Sequence, residues 1–350
     1  MREFRNQAIQ LEDGLRPFKE VDYRAMRLIL DRCEASPLKR RMLLKKLEKD
    51  WRAGRLVSGR QPTQNRKMDC EARLMLGHFT DWDGWQYRDP WAAGLWHNPE
   101  IMGMKPWNGL RTGHLYIMGE QGVGDEVFFA QALPACLALA DKVTFEGDPR
   151  LIPALKRMGV HEVISSDYVW DGFVKSRKML KFEADAWMAS GDLPRVLCRL
   201  KDVRPPFAVN YIQPDPEQVK KYERYKGRVG ISWRGAQGHY KAGEFQKLAG
   251  DKALSLQYDQ SPLEKVEKPE GLDLREDFEG VLGLLANLEK IITVSTTVAH
   301  LAFASGVAGD LILAPKNGRH QNILNWKYGL NRKTPWYPSA NVYQALSEYG

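Results

Sequence analysis

From His114 onward, short apolar runs alternate with stretches whose apolar residues recur every three or four positions, the pattern of strands feeding amphipathic helices. The first array reads as a strand His114–Met118 closed by Gly119, a helix Val127–Leu139, a strand Lys142–Glu146, a helix Pro149–Met158 and a strand Glu162–Ser165. Residues 201–226 carry Pro205, Pro206, Pro214 and Pro216 and read as a linker running into a charged helix. A second array follows: strand Arg228–Trp233, helix Gly243–Gly250, strand Ala253–Gln257, helix Phe278–Leu288, strand Lys290–Val294, helix Thr296–Ser305 and strand Gly309–Ala314. Strands alternating with helices at this spacing predict parallel sheets covered by helices. The fold class is therefore α/β, with two Rossmann-like halves, 111–205 and 227–350, joined by a linker at 206–226 and facing a cleft. In such sheets ligands bind beyond the carboxyl ends of the strands.

Residues 1–110 follow a different pattern and read as a helical N-terminal extension with a Trp-rich connector. Helical spacing predicts helices over Asp22–Cys33 and Pro37–Trp51, the second opened by Ser36 as cap and Pro37 in the first turn, and a third over Asn65–Leu76. The stretch Phe79–Trp107 then holds Trp82, Trp85, Tyr87, Trp91, Trp96 and Trp107. Aromatics interleaved with charges stack bases or sugars in some proteins; cover for a seam between domains is the favoured reading here.

Charge sharpens this picture only locally. Residues 1–60 hold 16 Lys/Arg against 9 Asp/Glu, so nearly all of the net charge of +8 lies there, densest between Lys39 and Arg52. Such a cluster offers a contact for nucleic acid or anionic head groups. Leu43, Leu44, Leu47 and Trp51 recur between the charges, so a solvated helix face accounts for the same residues. Over 350 residues, 43% hydrophobic and 27% charged content is that of a globular chain with room for ordinary cores. No stretch approaches the roughly 20 apolar residues needed to span a bilayer, and the N-terminus lacks an apolar signal core. Cys33, Cys70, Cys136 and Cys198 form no C-x-x-C pair and read as buried free thiols. A cytoplasmic location is the expectation.

Three turns at predicted strand ends carry candidate chemistry. Gly119 to Asp125 is glycine-rich, so a ligand can approach its backbone closely at a helix start. Its spacing is G-x-x-G-x-G and not the dinucleotide G-x-G-x-x-G. Gln121, Gly122 and Gly124 form the loop, and Asp125 is either a general base or a helix cap worth about 1 kcal/mol. The second turn follows the strand at 228–233 and offers two cations, Arg234 and Lys241, suited to a diphosphate leaving group or simply exposed in a loop. The third, Ser295, Thr296, Thr297 and His300, opens a helix and combines hydroxyls with free backbone N–H groups. Asp81-Trp82-Asp83 has the D-x-D form of a metal clamp but precedes the first strand of either array, and reads as a surface or capping feature.

Taken in order, these segments resemble heptosyltransferase-like GT-B glycosyltransferases, and within them the branch found at the C-terminal end of TPR-containing bacterial proteins. The residues that carry the resemblance are Glu120–Asp125 with Ala130–Pro134, Leu76–Phe79, Gly84–Arg88, Trp107–Gly109 with Gly113, Val229–Gly235, Ser255–Gln257, Val294–Ala302 and Pro335–Ser339. The resemblance implies a metal-independent, inverting transferase without a cofactor. It would move a hexosyl or heptosyl unit from a nucleotide-sugar donor to a hydroxyl of a glycan, a protein or a modified nucleic acid. It implies Asp125 as the base, Arg234 and Lys241 as phosphate contacts, Gln257 near the nucleotide, and Ser295, Thr296, Thr297 and His300 around the diphosphate. This chain departs from the family in having Ser295 where an Asp is usual, and in lacking a long TPR array. The serine leaves open a catalytically degenerate module that binds a nucleotide or a partner.

Overall fold

The computed structural model describes residues 21–22, 56–57, 70–71, 74, 79–87, 104–120, 122–165, 168–170, 175–177, 183–200, 203–236, 238–313, 325–329 and 331–349. The predicted helix over Pro37–Trp51, the basic residues 39–52 and Gln121 lie outside them. Val21–Asp22 pairs in parallel with Leu56–Val57, so the helix predicted from Asp22 does not begin there.

The first half is a parallel five-stranded sheet. Its strands are β1 (Lys105–Pro106), β2 (Thr112–Met118), β3 (Ala140–Gly147), β4 (Glu162–Ser165) and β5 (Ala186–Ala189), in the order β1-β5-β2-β3-β4. The chain steps outward from β2 to β4 and returns on the other side, so the order reverses at the β2/β5 boundary. Two of these strands escaped the sequence pattern. β5 is four buried residues without alternation, and β1 is a two-residue edge inside the stretch read as a connector.

Helices follow the strands as the pattern predicts, with one correction. The helix read as Val127–Leu139 is two: α1 (Val123–Ala130) starts directly from the glycine turn, and α2 (Leu133–Leu139) restarts after Gln131-Ala132. Pro134 has no N–H to continue the first ladder and sits instead in the first turn of the second helix. The next predicted helix opens with a 3-10 turn, Pro149–Leu151, before α3 (Ile152–Arg157). The 3-10 helix Ser190–Asp192 and α4 (Leu193–Leu197) follow β5.

After α5 (Pro216–Lys221) the second half repeats the scheme. Its elements are β6 (Val229–Ser232), α6 (Ala242–Ala249), β7 (Ala253–Ser255), α7 (Phe278–Leu285), β8 (Lys290–Thr293), α8 (Thr297–Ala304), β9 (Gly309–Ile312), α9 (Asn325–Tyr328) and β10 (Ala340–Tyr343). The sheet is parallel in the order β7-β6-β8-β9-β10. Its reversal lies between β6 and β8.

The two halves share one core. A single buried cluster runs from Trp82, Phe128 and Phe129 to Phe303, Trp336 and Tyr337, and α1 packs on α8. Trp82 meets Phe129 of α1 edge-on at 6.5 Å and Trp336, next to β10, at 5.6 Å. Trp336 also meets Phe79 at 5.6 Å, Phe128 at 5.4 Å and Phe207 at 6.1 Å. Phe79 and Trp82 thus plug the seam between the halves, while Trp91 and Trp96 lie outside the described residues. Burial pushes the Cys70 and Cys136 thiols well above their usual range and Cys198 to about 12, which makes all three poor nucleophiles. Among the described residues, no helix is long and apolar enough to cross a membrane.

Candidate functional site

The reversal between β6 and β8 brings three chain segments together at the carboxyl edge of the second sheet. The segment leaving β6 lies against the one leaving β8, with Val294 N–H on the Ser232 carbonyl at 2.9 Å. Gly235 makes the approach possible: a Cβ there would stand 2.7 Å from the Ser295 carbonyl oxygen and 3.1 Å from Thr296 Cγ2. Gln257, buried just beyond β7, fastens the same loop. Its Oε1 accepts from the Trp233 and Arg234 N–H groups at 3.2 and 3.1 Å, and its Nε2 donates to the Arg234 carbonyl at 3.1 Å. Because the nearest obstacle at Gly235 is backbone, Gly235→Ala should force the two loops apart. A cost of about 1–3 kcal/mol is expected from overpacking, read as a lowered Tm.

The cations of this loop are placed less simply. Arg234 is gripped by two acids, Nη1 to Glu264 Oε1 at 2.9 Å and Nη2 to Asp259 Oδ1 at 3.3 Å. Partial burial alone would raise both carboxyls. Hydrogen bonds from Gln257 and Arg234 to Asp259, and from Arg234 to Glu264, outweigh it and hold both below their usual range. Lys241 is exposed at the start of α6, its backbone N–H on Glu244 Oε2 at 2.7 Å. Among the described residues it shares no hydrogen bond or ion pair with the other turns.

Facing these turns is the glycine loop of the first half. Gly122 is the extended residue that opens α1, and no side chain caps the helix. Asp125, in the first turn, spends its carboxylate elsewhere: Oδ1 takes the Lys327 ammonium at 2.5 Å. Gly124 sets the distance to the second half, because a Cβ there would stand 3.1 Å from His300 Cδ2 and 3.5 Å from Thr297 Oγ1. The starts of α1 and α8 therefore lie side by side, and the N–H groups at 123 and 124 in α1 and at 297 and 298 in α8 have no carbonyl partner within their own helix. Thr296 caps α8, its Oγ1 accepting from Ala299 N–H at 3.3 Å.

His300 forms the floor of this contact and is itself held inside. Its Nδ1 shares a hydrogen bond with Tyr337 Oη at 2.8 Å and its Nε2 one with Tyr328 Oη at 3.1 Å. Tyr328 Oη also lies 2.9 Å from Ser295 Oγ. Tyr211 reaches in from the linker, donating to the Val127 carbonyl at 2.9 Å, with its oxygen 3.5 Å from Tyr337 Oη. Burial, aided by the charge of Lys327, holds the imidazole well below its ordinary pKa, so it is neutral and both nitrogens serve tyrosines. A histidine buried neutral binds fewer protons folded than unfolded, so its contribution is intact above the unfolded pKa of about 6.5 and declines as pH falls below it. Wild-type unfolding free energy should therefore fall more steeply than that of His300→Gln between pH 7 and pH 5, by up to about 1.4 kcal/mol per pH unit, read from melting curves. Parallel melting curves for the two proteins would show instead a pH-independent offset if the imidazole were not the group involved.

Of the residues singled out in the sequence, Gly122, Gly124, Asp125, Arg234, Gln257, Ser295, Thr296, Thr297 and His300 belong to this one junction. Lys327, Tyr328 and the role of Tyr337 were not read from the sequence. Tyr337 lies within the noted Pro335–Ser339 segment, whereas Lys327 and Tyr328 occupy a four-residue helix without a motif. Asp83 of the D-x-D triplet is exposed and paired with Arg199 at 2.6 Å, while Trp82 turns into the core. Among the described residues no group of three or more His, Cys, Asp or Glu is arranged to hold a metal ion.

No family model matches the chain. In sequence it is similar to Protein FlbA of Caulobacter vibrioides (strain ATCC 19089 / CIP 103742 / CB 15), at 26% identity over 336 residues, covering 80% of this chain. The chain spans about half the length, 52%, of that curated relative. In structure it is similar to a glycosyl transferase family 9 protein from Veillonella parvula, with a TM-score of 0.48 and 13% identity over 67% of this chain and 87% of that one. It is also similar to the E. coli ADP-heptose LPS heptosyltransferase II, with a TM-score of 0.42 and 12% identity over 65% of this chain and 89% of that one.

Proposed function

We propose that the chain is a glycosyltransferase of the GT-B kind that moves a sugar from a nucleotide-sugar donor to an acceptor hydroxyl. The observation that carries this reading is the meeting of Asp125, on the first turn of α1, with the open first turn of α8 at the carboxyl edges of the two sheets. A carboxylate and an anion-attracting helix start, adjacent but on different halves, are what a base and a diphosphate leaving group require. In this mechanism Asp125 accepts the proton of the acceptor hydroxyl. The oxygen attacks the anomeric carbon as the bond to the diphosphate breaks, and a nucleoside diphosphate departs. Direct displacement inverts the anomeric centre. First-turn N–H groups of α8 at 297 and 298 meet the charge that develops on the leaving group, and the Thr297 hydroxyl adds a donor. Gln257 shapes the loop at 233–235, and His300 supports the turn from beneath. The proposed chemistry uses side chains and helix ends throughout, and requires neither a metal nor a cofactor.

A second reading, a module that binds a nucleotide without turning it over, is favoured by one contact. Ser295 stands where the related enzymes usually carry an Asp, and its hydroxyl is engaged by Tyr328. Incubation of the purified protein with a panel of nucleotide sugars in EDTA, followed by mass spectrometry, separates the two. Loss of one donor with release of its nucleoside diphosphate is the expected result. Binding of a nucleoside diphosphate without consumption of any donor, across a panel of acceptors, would establish the second reading instead.

A further inference from the structure

Lys327 is the cation that the junction holds and that the sequence motifs do not point to. Its side chain is only 3% exposed, and its ammonium sits 2.5 Å from Asp125 Oδ1 and 4.9 Å above the Phe128 ring. Placing a lysine head group in such a position is costly unless charge balances it. Here the balancing group comes from the other half of the molecule and is the proposed base. While that bond stands, Oδ1 faces an ammonium and not an acceptor hydroxyl.

We infer that Lys327 is a diphosphate-contacting residue, and that its ion pair with Asp125 is the donor-free arrangement, exchanged when the donor's diphosphate enters. This rests on the transferase reading above. Three observations carry it. Arg234, the cation expected for the phosphates, is held by two carboxylates, Asp259 and Glu264, whereas Lys327 lies at the junction itself, on Asp125 beside the glycine loop. Its neighbour Tyr328 is bonded to both Ser295 and His300, which anchors the lysine backbone to the anion-binding turn itself. The carboxylate that holds it stands one residue from Gly124, which abuts Thr297, so a short swing of a flexible four-carbon side chain separates the two partners. A diphosphate carries more negative charge than one carboxylate and is favoured further by the helix start. Donor binding then frees Asp125 for the acceptor, so the base is released only when there is a sugar to transfer.

The test is calorimetric titration of the full chain with inorganic pyrophosphate, and separately with ADP and UDP, for wild type, Lys327→Met, Lys327→Arg and Asp125→Asn. Loss of a charge-assisted contact should weaken pyrophosphate binding about tenfold or more in Lys327→Met, with substantial recovery in Lys327→Arg. Removing the competing carboxylate should tighten binding several-fold in Asp125→Asn, an effect that a purely structural ion pair would not produce. The Lys327 variants carry the test if Asp125→Asn does not fold, since Asp125 left alone is a quarter exposed and can hydrate. Unchanged pyrophosphate affinity in Lys327→Met, or unchanged or weaker affinity in a folded Asp125→Asn, would overturn the exchange while leaving the transferase reading in place. Absence of pyrophosphate, ADP and UDP binding in wild type would remove the anion site, and both readings with it.

Discussion

Asp125→Asn should lower kcat for sugar transfer by about 10²–10⁴-fold, the usual worth of a positioned general base. The amide keeps the size of the side chain and can still accept from Lys327, but it takes no proton at neutral pH. The expected signature is a fall in kcat with the KM for the donor unchanged or lowered, because the contacts to the diphosphate come from other residues. Initial rates over a range of donor concentrations measure both. A variant that kept wild-type kcat would exclude Asp125 as the base. Stability gives a second reading of the same substitution. Removing one partner of a buried ion pair typically costs about 3–5 kcal/mol, because the other charge is left uncompensated. Pyrophosphate should then raise the Tm of Asp125→Asn by more than it raises that of wild type, since it supplies the missing negative charge.

Trp336→Ala should be the most destabilising single change in the second half. The ring is 1% exposed and is surrounded by Phe79, Trp82, Phe128 and Phe207, so its loss opens a cavity where both halves meet. Deleting a buried aromatic of this size costs about 3–5 kcal/mol, which for a chain of this length lowers Tm by roughly 10 °C. Because the ring serves both halves, calorimetry should show one transition moved down, not one half melting ahead of the other. Two separate transitions would mean that the halves are held by the linker alone. Trp82→Ala should behave alike. The double variant should cost less than the two losses combined, by about 0.5–1.5 kcal/mol, because the two indoles contact each other edge-on.

The parts of the molecule that the sequence made legible are those governed by local periodicity. Strands such as Glu162–Ser165 and the helices over 242–249 and 297–304 follow from the alternation of apolar runs and 3.6-residue spacing. The break at Gln131 was also written there, in Pro134, but the apolar pattern continues across it and masks the stop. β5 was invisible because four buried residues carry no periodicity of their own, and β10 because its alternation of buried and half-buried positions lasts only four residues. The same division holds at the junction. Glycine-rich and hydroxyl-rich turns announce themselves, so Gly122, Gly124, Asp125 and the residues from 295 to 300 could be named. Lys327 could not, since its meaning comes from a partner 202 positions earlier in the chain. Arg234 and His300 were legible as residues but not as states. Whether a cation or an imidazole has a free face depends on Asp259, Glu264, Tyr328 and Tyr337, which only the packed structure brings to them.

The plug at the seam also bears on the order in which this chain is made. Trp336 fills the core that Trp82, Phe128 and Phe129 begin, yet it leaves the ribosome well after the first sheet is complete. At synthesis rates of about 5–20 residues per second, the gap between residues 205 and 336 is on the order of 10 s. Through that interval the nascent first half presents an aromatic surface with nothing to cover it. The first half therefore cannot complete its core until the segment carrying Trp336 has been made.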